Sequence, residues 1–164
     1  MGRLLERESV LAELTRLARQ VSRGAGRMVL LRGEAGVGKT AVIRRFTACP
    51  GAPMRVLWGW CDPLATPRPL GPLVDMLARL PGTAVAGLNV AIEEGDTEAI
   101  YAGVLHLFAD SGGWVCVVED VHWADGATLD LLRFLARRIE SLPLLLMVSY
   151  RESSGTAPPG GGAG

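Results

Sequence analysis

The sequence predicts a three-layer α/β sandwich, with helices on both faces of a mostly parallel β-sheet. Three observations lead to this prediction. Short apolar runs alternate with helical patterns, a glycine-rich segment joins one such run to a helix, and another apolar run ends abruptly in two acids. With 164 residues, 49% of them hydrophobic and 21% charged, the chain is long enough for one domain with a substantial core and too short to expect two.

The N-terminal part is expected to form a helix, a strand and a second helix. Apolar residues recur at helical spacing over residues 9–21, with Ser9 as the expected N-cap. The apolar run 28–31 predicts a short buried strand. The second helix should begin near Gly38 and end before Pro50, because proline cannot continue a helix.

The middle of the chain is less regular. Residues 54–60 are rich in apolar and aromatic side chains and predict a second strand. Prolines recur through residues 61–72, which predicts an irregular connection. A short helix is predicted over 73–80 and another over 97–108, whereas residues 83–96 have no persuasive period and no element is predicted there.

The C-terminal part carries two more strands. Residues 114–118 form a continuous apolar run, which is typical of a central parallel strand. A helix is predicted over 126–140, with Asp125 more as its cap than as a ligand, and a buried strand over 144–148. Residues 1–152 are therefore expected to form one core, and the Gly- and Pro-rich residues 153–164 a disordered tail.

A phosphate-binding loop is predicted between the first strand and the second helix, where the sequence fits G-x-x-x-x-G-K-[ST] in full. Glycines let successive backbone N–H groups converge on a phosphate, and the helix N-terminus adds unsatisfied N–H groups and the positive end of its dipole. The residues expected to bind nucleotide here are Gly33, Glu34, Ala35, Gly36, Val37, Gly38, Lys39, Thr40 and Ala41.

Two side chains complete this loop. Lys39 is expected to place a compact ammonium group between the β- and γ-phosphates, and the Thr40 hydroxyl to bind Mg²⁺, which prefers hard oxygen ligands. Lys39 is also the only lysine among the 17 basic residues. A flexible point charge thus stands where it suits a phosphate better than the planar fork of arginine.

Two acids follow the apolar run 114–118, at the sheet edge where doubly wound proteins bind ligands. Because alternate residues of a strand point to opposite sides, Glu119 and Asp120 can take different roles. We assign Glu119 to hold Mg²⁺, largely through water, and Asp120 to polarise the attacking water. The reverse assignment stays open, as does the alternative that both acids are solvated and cap the next helix. Arg151 is expected to reach the γ-phosphate one strand over, unless it is a plain surface arginine.

Charge and composition exclude several classes of protein. The 17 acidic and 17 basic residues balance, which gives no field for nucleic acid or membrane binding. Cys49, Cys61 and Cys116 are odd in number and lack C-x-x-C spacing, which argues against a disulfide framework or a zinc site. No signal peptide and no apolar run of about 18 residues is present. The expected location is the cytoplasm.

Together these segments resemble a known family. The phosphate-binding loop, the segment V-V-E-D-V-H-W-A-D over 117–125, the strand ending in S-Y-R and the charged lead-in 4–8 resemble the AAA-type ATPase domain of the STAND class. The similarity is greatest to large LuxR-type, MalT-like bacterial transcriptional regulators and spans about residues 4–152. It implies a P-loop NTPase sandwich of the ASCE/AAA type, with the strand that ends in Arg151 lying between the phosphate-loop strand and the acid strand.

The resemblance also implies a function. Family members bind ATP or ADP with Mg²⁺, hydrolyse ATP slowly and act as signalling switches, and their lead-in helps to hold adenine. That contact maps onto Glu6 and Arg7, although a charged lead-in can also be simply solvated. The family commonly has aspartate where Glu119 stands, so Mg²⁺ is expected to be held differently and turnover to be slower.

Family members continue into a fifth strand, a lid, a sensing region and a DNA-binding domain. The chain is therefore interpreted as a core that is incomplete at its C-terminal end and does not itself bind DNA. Self-association and contact with other regulator domains are the expected protein partnerships. Two rival functions remain: a non-hydrolysing fragment that acts only by protein contacts, and a small-molecule kinase.

Overall fold

The computed structural model describes residues 2–33, 38–109 and 112–151, with side chains from Arg7 onward. Helices and strands alternate along most of this length. The elements are α1 (Gly2–Val21), β1 (Arg27–Gly33), α2 (Lys39–Ala48), β2 (Arg55–Trp60), α3 (Gly71–Leu77), α4 (Gly82–Glu94), α5 (Thr97–Ala109), β3 (Trp114–Glu119), α6 (Gly126–Ala136) and β4 (Leu144–Arg151), with 3₁₀ turns at Val121–Trp123 and Ile139–Ser141.

The four strands form one parallel sheet in the order β1-β4-β3-β2. The last strand in sequence thus lies between the phosphate-loop strand and the acid strand, as the resemblance implied. The register aligns the ends of the strands, with Gly33 opposite Arg151 and Trp60 opposite Glu119. The carboxyl ends of all four strands therefore meet at one edge of the sheet.

Helices cover both faces of the sheet, which confirms the three-layer α/β fold. Alternate residues of β3 point to opposite faces: Val115 and Val117 pack with α1 and α2, whereas Cys116 and Val118 join the larger cluster formed with α3–α6. All six residues of β3 are buried. A strand that is apolar throughout is buried on both faces, as the sequence predicted for 114–118.

Two helices differ from the predictions. Helix α1 begins at Gly2, so Ser9 lies inside the helix and is not its N-cap, and the lead-in 4–8 is helical. Helix α4 occupies a segment for which no element was predicted. Its buried residues Val85, Leu88 and Ala91 do recur every three residues, but the small residues between them hide the contrast between apolar and polar faces.

Other boundaries shift by a few residues. Helix α3 begins and ends earlier than the predicted 73–80. Helix α6 ends at Ala136, and the rest of the predicted helix 126–140 turns back to bury Ile139 against the sheet. Strand β4 runs from Leu144 to Arg151, so the residues expected at its tip belong to the strand itself. The predicted tail 153–164 lies outside the described residues.

Candidate functional site

The predicted phosphate-binding loop connects β1 to α2 at the carboxyl edge of the sheet. Gly38, immediately before α2, has φ +83° and ψ +24°, a left-handed conformation that glycine adopts without steric cost. The predicted need for glycine is therefore met at this position. Glu34, Ala35, Gly36 and Val37 lie outside the described residues, and their expected contacts remain predictions.

The N-terminus of α2 has no side-chain cap. The first backbone hydrogen bond of the helix is donated by Val42 to the Gly38 carbonyl at 3.1 Å, so the N–H groups before it, including those of Thr40 and Ala41, have no partner within the helix. Uncapped N–H groups and the helix dipole together attract an anion. The start of α2 therefore has the backbone geometry expected of a phosphate site.

Lys39 lies at the point where the loop closes. Its Nζ donates a hydrogen bond to the Gly33 carbonyl, with 2.5 Å between the two atoms. This contact joins the end of β1 to the start of α2 and holds the ammonium group at the sheet edge. The sequence predicted a lysine here, and the structure shows that its side chain bridges the two ends of the loop.

Thr40 and Glu119 are 79 positions apart in sequence and meet at this edge. The Thr40 hydroxyl donates to Oε1 of Glu119 at 2.8 Å. Glu119 is 6% exposed, and within the described part of the chain its carboxylate receives this hydrogen bond and forms no salt bridge. A buried carboxylate with one neutral donor is incompletely compensated, which is costly for the folded protein.

Asp120 does not continue β3. It has φ +57° and ψ +46°, a left-handed conformation that is unusual for aspartate, and it starts the 3₁₀ turn Val121–Trp123. Its backbone N–H donates to Oγ of Ser149 at 3.1 Å. The backbone therefore turns out of the strand at Asp120, so strand alternation alone does not describe the two acids.

Arg151 ends β4 beside the start of the phosphate loop, in register with Gly33. Its side chain is exposed, and its backbone N–H donates to Nδ1 of His122 at 3.4 Å. The 3₁₀ turn after the acids is thus tied to the tip of β4. The structure brings Arg151 to the predicted edge of the sheet.

Arg7 reaches the same edge from α1. A Cβ atom added to Gly38 would lie 2.5 Å from Nη2 of Arg7, so the guanidinium packs directly against the glycine at the start of α2. The sequence associated Arg7 with the adenine, and the structure places its positive charge at the end of the phosphate loop. The side chain of Glu6 lies outside the description.

Asp125 caps α6, as the sequence predicted. Its carboxylate accepts from the backbone N–H of Thr128 at 3.2 Å and bonds to the hydroxyl of the same residue. It also accepts from the backbone N–H of Leu70 at 3.4 Å, which ties the proline-rich connection to the segment after the acids. Asp125 therefore has structural partners on two elements.

Ser149 was not assigned a role from the sequence. It is 2% exposed and lies on β4 beside the acid strand. A single serine near the end of an apolar strand carries no spacing signal, so its contact with Asp120 could be found only from the structure.

The donor set fits a nucleotide with Mg²⁺. Thr40 and Glu119 supply hard oxygen atoms of the type that Mg²⁺ prefers, and no cluster of three or more metal-ligating residues occurs in the described ranges. Mg²⁺ is usually held by one or two protein groups together with phosphate oxygens and water. The uncapped start of α2, Lys39 and the Arg7 guanidinium supply the positive potential that phosphates need.

Comparison with known proteins agrees with this geometry. The chain shares 29% identity with an uncharacterized protein of Rhizobium meliloti (strain 1021), over 93% of this chain and 19% of that protein. The chain thus spans about a fifth of that relative. A chain in the structure of Drosophila ORC bound to DNA superposes with a TM-score of 0.58 at 15% identity, covering 93% of this chain and 80% of that one. Similarity at that level shows the fold alone.

No helix within the described ranges is both long and apolar enough to cross a membrane. Residues 3–148 match the AAA ATPase domain, a family whose members use nucleotide and usually Mg²⁺. Because this match covers most of the sequence, the chain belongs to the AAA ATPase domain family.

Proposed function

We propose that the chain binds ATP and ADP with Mg²⁺, hydrolyses ATP slowly and acts as the nucleotide switch of a signalling or transcriptional regulator similar to the LuxR type. The observation that carries the proposal is the hydrogen bond between Thr40 and the buried Glu119. It joins the last residue of the phosphate-loop pattern to the first acid of the acid strand. No salt bridge within the described ranges compensates the charge of that carboxylate, and a bound cation would do so.

Each group has a role in this proposal. The N–H groups at the start of α2 bind the β-phosphate, and the Lys39 ammonium exchanges the Gly33 carbonyl for phosphate oxygens. Thr40 and Glu119 hold Mg²⁺, which neutralises charge on the β- and γ-phosphates when it is bound. Asp120 orients and polarises the attacking water, a role separate from that of Glu119 because the backbone turns out of β3 at this residue.

Two arginines are assigned to the phosphates. Arg151 senses the γ-phosphate from the tip of β4. When hydrolysis removes the γ-phosphate, the change at Arg151 is relayed to the 3₁₀ turn through the hydrogen bond from the Arg151 backbone to His122. Arg7 contributes positive charge at the phosphate loop, and not only a surface for adenine, since its guanidinium packs on Gly38. The regulator role itself rests on the sequence resemblance.

The first test is thermal denaturation with and without Mg-ATP and Mg-ADP. A ligand that binds only the folded chain adds about 2.7 kcal/mol of stability at a hundredfold excess over its dissociation constant. The shift in melting temperature is expected in the unsubstituted chain and in a control, Arg137→Ala, which removes an exposed positive charge on α6's C-cap. It should disappear in Lys39→Ala. Equal shifts in all three proteins would reject the assigned site.

A second test separates the roles of the two acids. Glu119→Gln should weaken the Mg²⁺ dependence of nucleotide binding, because it removes the charged metal ligand. Asp120→Asn should retain Mg-ATP binding and lose most of its hydrolysis, leaving a slow residual rate, because it removes the base. If Glu119→Gln alone shows retained binding with lost hydrolysis, the two roles are reversed.

One observation favours the interaction-fragment alternative. Strand β1 lies at the edge of the sheet and pairs with β4 alone among the described strands, and Leu30 on it is 58% exposed. An unpaired edge strand with an exposed leucine can pair with another chain. Size-exclusion chromatography over a range of concentrations tests this alternative. A monomer at all concentrations would count against self-association, and a dimer lost on Leu30→Lys would favour it.

A further inference from the structure

Strands β3 and β4 stop pairing just before the two acids. The last matched pair in their register is Val118 with Val148, although both strands continue by at least one residue. Beyond that pair, the next contact is made by a side chain: the backbone N–H of Asp120 donates to Oγ of Ser149 at 3.1 Å. A serine hydroxyl therefore takes over where the backbone ladder ends.

This contact occurs at a residue with an unusual backbone conformation. Asp120 has positive φ, and among the described residues Leu70 is the other non-glycine in that state. Aspartate tolerates the left-handed region better than most residues, but the conformation still needs support from its surroundings. The supporting atom lies on Ser149, which is 2% exposed and belongs to β4, a strand paired on both sides.

The same turn is tied to β4 a second time. The backbone N–H of Arg151 donates to Nδ1 of His122, and the carbonyl of Asp120 accepts from the backbone N–H of Trp123. These contacts are either exposed or local to the turn. The contact of Ser149 is the one that reaches Asp120 from a buried strand.

We propose that Ser149 is a positioning residue for hydrolysis: its hydroxyl fixes the backbone of Asp120 so that the carboxylate faces the attacking water. The inference rests on the proposed function, since it assigns Asp120 the task of orienting water. In this inference Ser149 acts through the backbone of Asp120 and not on the nucleotide. Its loss should therefore slow the chemical step and leave nucleotide affinity in place.

The experiment compares Ser149→Ala, Ser149→Thr and the control Ser141→Ala in the full chain. The control also removes a serine hydroxyl, but that hydroxyl is exposed and bonds to the Arg138 carbonyl outside the site. Mg-ATP affinity is measured by titration with a fluorescent ATP analogue, and kcat by phosphate release. Ser149→Ala should lower kcat at least tenfold with the dissociation constant changed less than twofold. Ser149→Thr, which keeps a hydroxyl, should recover most of the rate, and Ser141→Ala should match the unsubstituted chain.

A double variant tests whether Ser149 acts through Asp120. Adding Ser149→Ala to Asp120→Asn should slow hydrolysis no further than Asp120→Asn alone. An additional tenfold loss, no rescue by threonine or an unchanged kcat in Ser149→Ala would each overturn the inference. An unsubstituted chain that binds Mg-ATP without hydrolysing it would overturn it too, whereas a chain that binds no nucleotide would reject the proposed function instead.

Discussion

Replacing Glu119 with glutamine should make the metal-free protein more stable. The carboxylate is 6% exposed and receives one described hydrogen bond, from the Thr40 hydroxyl at 2.8 Å. Glutamine has nearly the same shape and keeps an oxygen that can accept this bond, but it carries no charge to be desolvated. The substitution therefore removes a cost that the folded chain bears for the sake of a cation.

The size of the effect follows from the burial. Relieving an incompletely compensated buried charge is worth several kcal/mol, and the new amide N–H group, which needs its own partner, takes back about 1–2 kcal/mol of it. A net gain of about 2 kcal/mol is expected, which raises the melting temperature of a chain of this size by about 4–8 °C. With Mg-ADP present the order should reverse, because only the unsubstituted chain gains the full stabilisation from metal and nucleotide.

The measurement is thermal and urea denaturation with EDTA, and then with saturating Mg-ADP. Glu140→Gln serves as the matched control, because Glu140 is an exposed glutamate of the last 3₁₀ turn and its substitution should change stability by less than about 0.5 kcal/mol. A metal-free Glu119→Gln protein that is less stable than the unsubstituted chain would refute the reasoning. The carboxylate would then be a structural hydrogen-bond acceptor and not a metal ligand.

Three further predictions concern the surroundings of the site. Gly38→Ala should lower the free energy of unfolding by about 1–2 kcal/mol in urea denaturation, because alanine resists φ +83° and its Cβ would lie 2.5 Å from Nη2 of Arg7. Adding Arg7→Ala should recover only part of this loss. An unchanged stability in Gly38→Ala would contradict the prediction. Asp125→Ala should lower stability by about 1–3 kcal/mol, since the carboxylate caps α6 and accepts a second backbone hydrogen bond from the proline-rich connection; a change under about 0.5 kcal/mol would show that water replaces it. Burial raises the pKa of the Cys61 thiol to about 12, so at pH 8 iodoacetamide should label the exposed Cys49 and spare Cys61, as peptide mass spectrometry can establish; equal labelling of both would contradict the buried position.

The strands were the most predictable part of the fold. Each lies within a few residues of its predicted position. In β3 and most of β4 this is because a strand buried on both faces must be apolar at nearly every position, and that pattern is visible in the sequence. The start of α1 and the whole of α4 were not predicted. In α1 the charged lead-in is helical despite its polarity, and in α4 small residues blur the apolar face, so tertiary packing decides both.

The candidate site also has features that the sequence predicted and others that it did not. The glycine at position 38 and Lys39 could be read from the sequence, because a tight phosphate loop needs residue types that few other structures require at that spacing. The turn of the backbone at Asp120 could not be predicted, since no sequence pattern distinguishes an aspartate in the left-handed conformation from any other. The role of Ser149 could not be predicted either, since a single serine near the end of a strand has no spacing signal.

The sequence by itself determined the order of the strands along the chain, the phosphate-loop residues and the pair of acids after an apolar strand, because these depend on local periodicity and on residue chemistry. The tertiary structure decided which groups meet. Thr40 and Glu119 are 79 residues apart, and Ser149 reaches Asp120 across 29, so both contacts depend on β4 lying beside β3 in a parallel sheet. Such contacts follow from strand order and register, which are set by how the whole chain packs and not by any one segment.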